Sequence, residues 1–435
     1  MTTTHKIGSK HETRKFNKTC FALAALAFSG VASAQSNITV FGVLDAAVSH
    51  YDARSVFYSN DSLARPPAAA PADVTKSKWA MSTGNMVGSR LGFRGIEDLG
   101  GGQSASFWLE AGLTNDTGQG TAPGGGLTFN RRSTVSLASA WGEIRLGRDY
   151  VPTYQSTLVA DPFGNGGVGG TLFGTVGANL AVARGPGSPI SSSDNYARTS
   201  NSVGYFLPSN LGGFYGQLMY ALPETTKVSG TASSPSSKGR YYGGRFGYAS
   251  GPWNVVLAYG SSQAADGADG NAWVRDRIVE TSLVTTYDFG PLQLLGELVQ
   301  MQARREVDSL PAAAASTWSH DTYNGGQIGV ILPIGAGVIR ATYAELNFYV
   351  DGDRGSVNTD ASAQKLALGY VYNLSKRTAL YATVGKVLIK NGQNNPNVLG
   401  ATTGGGLTYL STGAGVQGYA PRSSTGYDFG IKHSF

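Results

Sequence analysis

Charge and long apolar runs are both scarce in this chain. Only 14% of its 435 residues are Asp, Glu, Lys or Arg, where soluble domains carry roughly 25%. Past residue 34, no uninterrupted apolar run reaches the roughly 18 residues that a membrane-spanning helix requires. Cysteine occurs once, as Cys20, so neither a disulfide framework nor a cysteine metal site is available. Histidine after residue 34 is limited to His50, His320 and His433. None of these lies beside a nucleophile motif, which argues against an enzyme. Asp45 and His50 would leave a metal without a third ligand, so no metal or other cofactor is expected.

Glycine (61) and tyrosine (22) are abundant instead. Low charge and many aromatics without an apolar helix fit two architectures, a secreted all-β protein or a membrane β-barrel. In a barrel only every second residue meets lipid, so overall hydropathy stays modest.

The N-terminus points to export. Lys6, Lys10, Arg14, Lys15 and Lys18 precede an apolar stretch that ends in the small residues Ala32 and Ala34. This pattern predicts a signal peptide over residues 1–34 and a mature chain of 35–435. Its removal takes away five Lys/Arg and one Glu, so the formal charge of +6 falls to +2. The basic balance therefore belongs largely to the leader, and no nucleic-acid partner is expected. Three Gly-Gly-Gly strings, at 100–102, 124–126 and 404–406, precede no helical pattern and read as turns and loops.

The mature chain alternates. Around a glycine turn at Leu99–Gly102, Leu91 and Phe93 alternate with Arg90, Gly92 and Arg94, and Phe107, Leu109 and Ala111 alternate with Trp108 and Glu110. Successive strand side chains point to opposite faces, so each arm has one apolar and one polar face. The same pattern recurs over Asn37–Tyr51, Leu127–Ser139, Gly142–Gly147, Arg198–Leu207, Phe214–Leu222, Arg240–Ala249, Trp253–Ser262, Asp276–Phe289, Leu292–Arg305, Asp321–Leu332, Val338–Tyr349, Ala363–Asn373, Thr378–Lys390 and Thr425–Phe435. The polar stretch Asp52–Ala80 reads as a loop. With the hairpin's own two arms these make sixteen strands, joined strictly alternately by short turns and longer loops. That asymmetry is expected of a closed antiparallel transmembrane barrel with periplasmic turns and external loops. The third long connection, 149–196, is too long to be a passive link.

In the last strand Tyr427, Phe429, Ile431, His433 and Phe435 share one face. With the stretches ITVFGVLDAAV, SRLGFRGIEDLGGG, FWLEAGL, GEIRLGRDY, NSVGYFLPSNLGGF and GYDFGIKHSF, the chain resembles the general diffusion porins of Gram-negative bacteria, in particular the trimeric Burkholderia–Bordetella–Neisseria type.

The resemblance implies several things together. The fold would be an all-β, sixteen-stranded barrel in the outer membrane, with the 149–196 segment folded into the lumen as a constriction loop. The partners would be two further copies in a homotrimer, outer-membrane lipid and lipopolysaccharide, the assembly machinery that reads Phe435, and small hydrophilic solutes. A ladder of wall arginines would face carboxylates on the inward loop. Carried over, the ladder is Arg90, Arg131 or Arg132, and Arg198, with Arg148 a weaker member. The family pattern selects Arg131, strict alternation from Val135 and Leu137 selects Arg132, and a bulge would reconcile them. The loop-side carboxylate would be Asp161, which could alternatively cap a turn before Pro162, with Asp149 and Asp194 near the loop's ends. More bases than acids at the narrowest point would give a weak anion preference. Two other readings remain open: a substrate-specific sugar or dicarboxylate channel, and a surface adhesin.

Overall fold

The computed structural model describes residues 37–59, 72–183, 195–224, 237–269, 272–309, 317–352, 360–411 and 417–435. The leader over 1–34 and Asp194 lie outside the described residues.

Strand β1 is Asn37–Ser59, and β2 comes in two pieces, Asp73–Thr83 and Arg90–Gly100. Both pieces run antiparallel to β1, the first beside Ala46–Val56 and the second beside Asn37–Val43, so they form one stave interrupted at 84–89. Then follow β3 (Gln103–Thr114), β4 (Arg132–Ser139), β5 (Gly142–Tyr150), β6 (Arg198–Phe206), β7 (Phe214–Ala221) and β8 (Tyr241–Ser250). The second half comprises β9 (Trp253–Asp269), β10 (Ala272–Asp288), β11 (Gln293–Ser309) and β12 (Thr317–Ile334). It ends with β13 (Gly337–Gly352), β14 (Ala361–Asn373), β15 (Thr378–Lys390) and β16 (Gln417–Ser434). A two-residue strand, Gln119–Gly120, pairs only with the end of β3 and adds no stave. Each stave bonds to the next, and β16 returns to pair with β1 from Val43↔Ser434 to Ser59↔Gln417. The sheet is therefore a closed barrel of sixteen staves. Closure leaves no open edge, which a hydrocarbon surround demands because it offers backbone groups no partner.

The alternation read in the sequence sets the two faces. On β1, Ile38, Val40, Leu44 and Val48 are exposed while Asp45 and Ser49 are fully buried. The register places Leu44 beside His433 and Val48 beside Phe429 on one face, and Asp45 beside Lys432 and Ser49 beside Asp428 on the other. Leu218, Leu298 and Leu366 are each more than 60% exposed. So many bare apolar side chains would drive a water-soluble protein to aggregate, and they suit a barrel whose outside is lipid. His50 sits on this outer face, its ring 4.8 Å from Trp79 and 6.3 Å from Tyr427.

The strands outrun the sequence expectation at the ends away from the short turns. The stretch Asp52–Ala80, read as a loop, is strand from Asp52 to Ser59 and again from Asp73 onward. An Arg54–Asp73 ion pair at 2.5 Å lies across this extension. Trp253–Ser262 likewise continues to Asp269. Beyond the hydrocarbon the outer face need no longer be apolar, so the alternation fades, yet the backbone ladder continues, with irregularities at Arg54/Ser55 and Gln263/Ala265.

Between β5 and β6, where the sequence showed little periodicity, the chain forms helix α1 (Pro152–Ala160), a single 3-10 turn at Gly167–Gly169 and helix α2 (Leu172–Ala183). Pro152 opens α1, where its missing N–H costs nothing. Leu172, Phe173, Val176 and Leu180 of α2 pack on Val299, Met301, Tyr323, Leu346, Phe348 and Val387 of β11, β12, β13 and β15. The Gly167–Gly169 turn reaches β16: Val168 N donates to Asp428 Oδ2 at 2.8 Å. It approaches β15 so closely that a Cβ on Gly385 would stand 2.2 Å from the Val168 carbonyl oxygen. Glycine is required there by contact and not by backbone conformation.

Candidate pore constriction

The predicted arginines gather on one arc of wall, β2 to β6. Arg90 and Glu110 share a face of the β2–β3 ladder, because Gly92 is in register with Glu110 and Arg90 lies two residues on. Arg90 Nε stands 3.7 Å from Glu110 Oε1. Arg131 Nε donates to the same oxygen at 2.6 Å.

The choice between Arg131 and Arg132 dissolves. Arg131 N donates to Glu110 O, while Arg132 is the register partner of Glu110. Two residues thus oppose one, the arrangement of a β-bulge, and both side chains go to the same side. Arg132 lies over the Trp108 ring at 4.6 Å and 3.8 Å from Asp149 Oδ2.

Tyr150 joins this group to the next stave. Its hydroxyl accepts from Arg131 at 3.3 Å and from Arg198 at 2.5 Å, and the Arg198 guanidinium lies 4.1 Å from its ring centre. Tyr150 stacks on Tyr154, and Tyr154 packs edge-on against Tyr196. The arc therefore runs without a break into the connecting segment. Arg145 binds Glu143 at 2.9 Å and Asp149 at 2.6 Å. Arg148 turns to Asn130 O and Ser200 Oγ at the foot of the segment.

Asp161 is not brought to these arginines. It is buried, and its carboxylate accepts from the backbone N–H groups of Phe163, Asn165 and Thr171 at 2.9, 2.6 and 3.0 Å. Among the described residues none of the four arginines pairs with it. Burial holds its carboxyl above the usual carboxylate range, against the pull of those three N–H groups and of Lys365. The structure gives it the capping role, tying the turn after α1 together. The acids that the arginines do meet are Glu110 and Asp149. Glu110 was legible as a polar-face residue in parity with Arg90, but strand parity alone does not say which neighbours a side chain reaches.

Further bonds seat the connecting segment. Thr157 Oγ1 donates to Glu297 Oε1 at 2.8 Å, Thr171 Oγ1 to Gln327 Oε1 at 2.7 Å, and Gln327 Nε2 to Ala160 O at 3.1 Å. Lys365 Nζ donates to Gly170 O.

A closed sixteen-stave barrel, apolar outside and arginine-lined on its other face, is the architecture of a porin. Residues 21–392 match the Gram-negative porin family, and the chain belongs to that family. It is 36% identical to outer membrane porin protein 32 of Delftia acidovorans, over 96% of this chain and 99% of that one. It is 30% identical to an outer membrane porin protein of Bordetella pertussis, over 84% of this chain and 92% of that one. Among solved structures, the anion-selective porin from Comamonas acidovorans superposes with a TM-score of 0.63 at 30% identity, covering 92% of this chain and all of that one. The protein is an outer-membrane channel for passive diffusion of small hydrophilic solutes, as its sequence led us to expect.

Proposed function

We propose that the segment 149–196 folds into the barrel as its constriction, and that the pore it leaves along β2–β6 passes anions in preference to cations. One observation carries the reading. Among the described residues, the six arginines of the site set out above (90, 131, 132, 145, 148 and 198) stand with three carboxylates (Glu110, Glu143 and Asp149), a formal surplus of three positive charges. A cleft with low-dielectric walls and charge of one sign concentrates counter-ions, so chloride enters more readily than potassium. Glu110 and Asp149 pin the guanidinium groups in place and weaken the field without cancelling it, which keeps the preference modest. The likeness to a porin described as anion-selective supports the same sign.

The seats at Glu297, Gln327, Lys365 and Asp428 lie on staves β11, β12, β14 and β16, well away in the ring from the β5 and β6 staves that the segment joins. That spread supports a segment that crosses the bore. We also propose the homotrimer, the leader peptide, and the lipid and assembly contacts that the family resemblance implies. The test is the reversal potential of purified protein in a planar bilayer under a KCl gradient. Anion preference sets one sign, and a potential of the opposite sign would overturn the proposal.

A further inference from the structure

The break in stave β2 is larger than a bulge. Its first piece ends with Thr83 beside Ala46 of β1, and its second begins with Arg90 beside Val43. Two residues of β1, Leu44 and Asp45, therefore lie opposite six of β2, residues 84–89. An ordinary β-bulge sets two residues against one. Here the surplus is four, and the six leave the wall.

They turn inward. Met86 packs on the buried Ala47, Val371, Ala379 and Tyr381. The N–H groups of Met86 and Val87 both donate to Asp45 Oδ2 at 2.7 Å, and the Tyr381 hydroxyl donates to Asp45 Oδ1 at 2.5 Å. Ser89 Oγ accepts from Asp45 N at 3.0 Å. Asp45 is fully buried, and a buried polar group needs such partners, so the inward turn is fixed to the wall beneath it.

The inward turn touches both other parts of the constriction. On one side lies the tip of the connecting segment. A Cβ on Gly166 would stand 2.6 Å from the Asn85 carbonyl oxygen, and one on Gly167 would stand 2.8 Å from Asn85 Cβ. Asn85 Nδ2 also donates to Ser49 Oγ at 3.0 Å, and Ser49 Oγ donates at 2.6 Å to Asp428, the carboxylate that seats Val168. On the other side lie the arginines. Arg90 Nη1 donates to Gly88 O at 3.3 Å, and a Cβ on Gly88 would stand 2.9 Å from Arg131 Nη1.

We propose that residues 84–89 are a second jaw of the constriction. They close the gap between the tip of the connecting segment and the arginine arc, so solutes pass only between that segment and staves β2–β6. Both jaws then set the bore, and glycine at 88 leaves the room beside Arg131 to the solute.

This inference rests on the reading that the segment 149–196 constricts the barrel, and the experiment separates the two. Single-channel conductance in KCl and the size limit for neutral polyethylene glycols are measured on purified wild type and two variants. Deleting residues 85–88 leaves two residues opposite two, so the stave can run straight with its inward and outward faces kept. Conductance should rise and larger polymers should enter. Gly88→Gln adds an uncharged side chain toward Arg131, so conductance should fall and the size limit should tighten. Misfolding does not widen a channel through one change and narrow it through another in the same segment. If the deletion yields no folded barrel, Gly88→Gln decides alone. Wild-type conductance and size limit in Gly88→Gln, or in a folded deletion variant, overturns the second jaw. A wild type that admits polymers filling the open lumen of a bare sixteen-stave barrel overturns the constriction reading instead.

Discussion

Two arcs of the same wall are built on opposite principles. Along β2–β6 the inner face carries arginines, carboxylates and Tyr150, and its groups are joined by hydrogen bonds and ring contacts. Along β11–β15 the inner face carries Val299, Met301, Leu346 and Val387, and α2 lies against it as a small hydrophobic core. Both arcs obey the same two-residue alternation. The difference lies in what covers them: the first arc keeps its charged groups in contact with one another, whereas α2 packs over the apolar side chains of the second. On the reading proposed above the channel is one-sided, with selectivity assigned to one arc and the anchorage of the connecting segment to the other.

That division can be broken by experiment. The largest effect is expected from R131E/R198E, which turns a surplus of three positive charges on the polar arc into a deficit of one. The reversal potential under a KCl gradient should change sign, and an unchanged sign would show that these arginines do not control passage. Next comes Phe173→Ala on the apolar arc. Removing a ring that is 1% exposed should cost about 3–5 kcal/mol, read as a lower denaturation midpoint of the purified barrel, with ion selectivity retained. A change of selectivity without loss of stability would contradict the division of labour.

Gly385→Ala should have a smaller effect, about 1–3 kcal/mol, because the new methyl group meets the Val168 carbonyl oxygen. We expect the Gly167–Gly169 turn to lift from its seat and single-channel conductance to become noisier. A quiet, wild-type trace would show that the seat tolerates the methyl. Smallest is Glu110→Gln, which keeps an oxygen for Arg131 but removes the charge. Anion preference should rise slightly, and a fall would mean that Glu110 is not the compensating acid.

Much of this was written in the sequence. Tyr427, Phe429 and Ile431 against Asp428 and Lys432 disclosed both faces of the last stave, because side-chain direction in a strand follows parity. Short turns alternating with long loops disclosed the barrel and the number of its staves. Arg90 was readable for the same reason. Other features were not. The polar rim over Asp52–Ser59 hid a strand, since the ladder there is held by backbone groups that every residue owns. The stretch after Tyr150 hid two helices, because α2 is buried along much of its length and shows no strongly polar face.

The sequence by itself determined the closed barrel, its lipid-facing and inward-facing residues and the arc on which basic side chains collect, since each follows from local periodicity and from the need to pair every backbone group in hydrocarbon. The tertiary structure alone decided that Arg131 and Arg132 both point inward, that the acids they meet are Glu110 and Asp149 and not Asp161, and that Val168 docks on Asp428. Those outcomes depend on which residues far apart in the chain come within a few ångströms, and no local pattern records that.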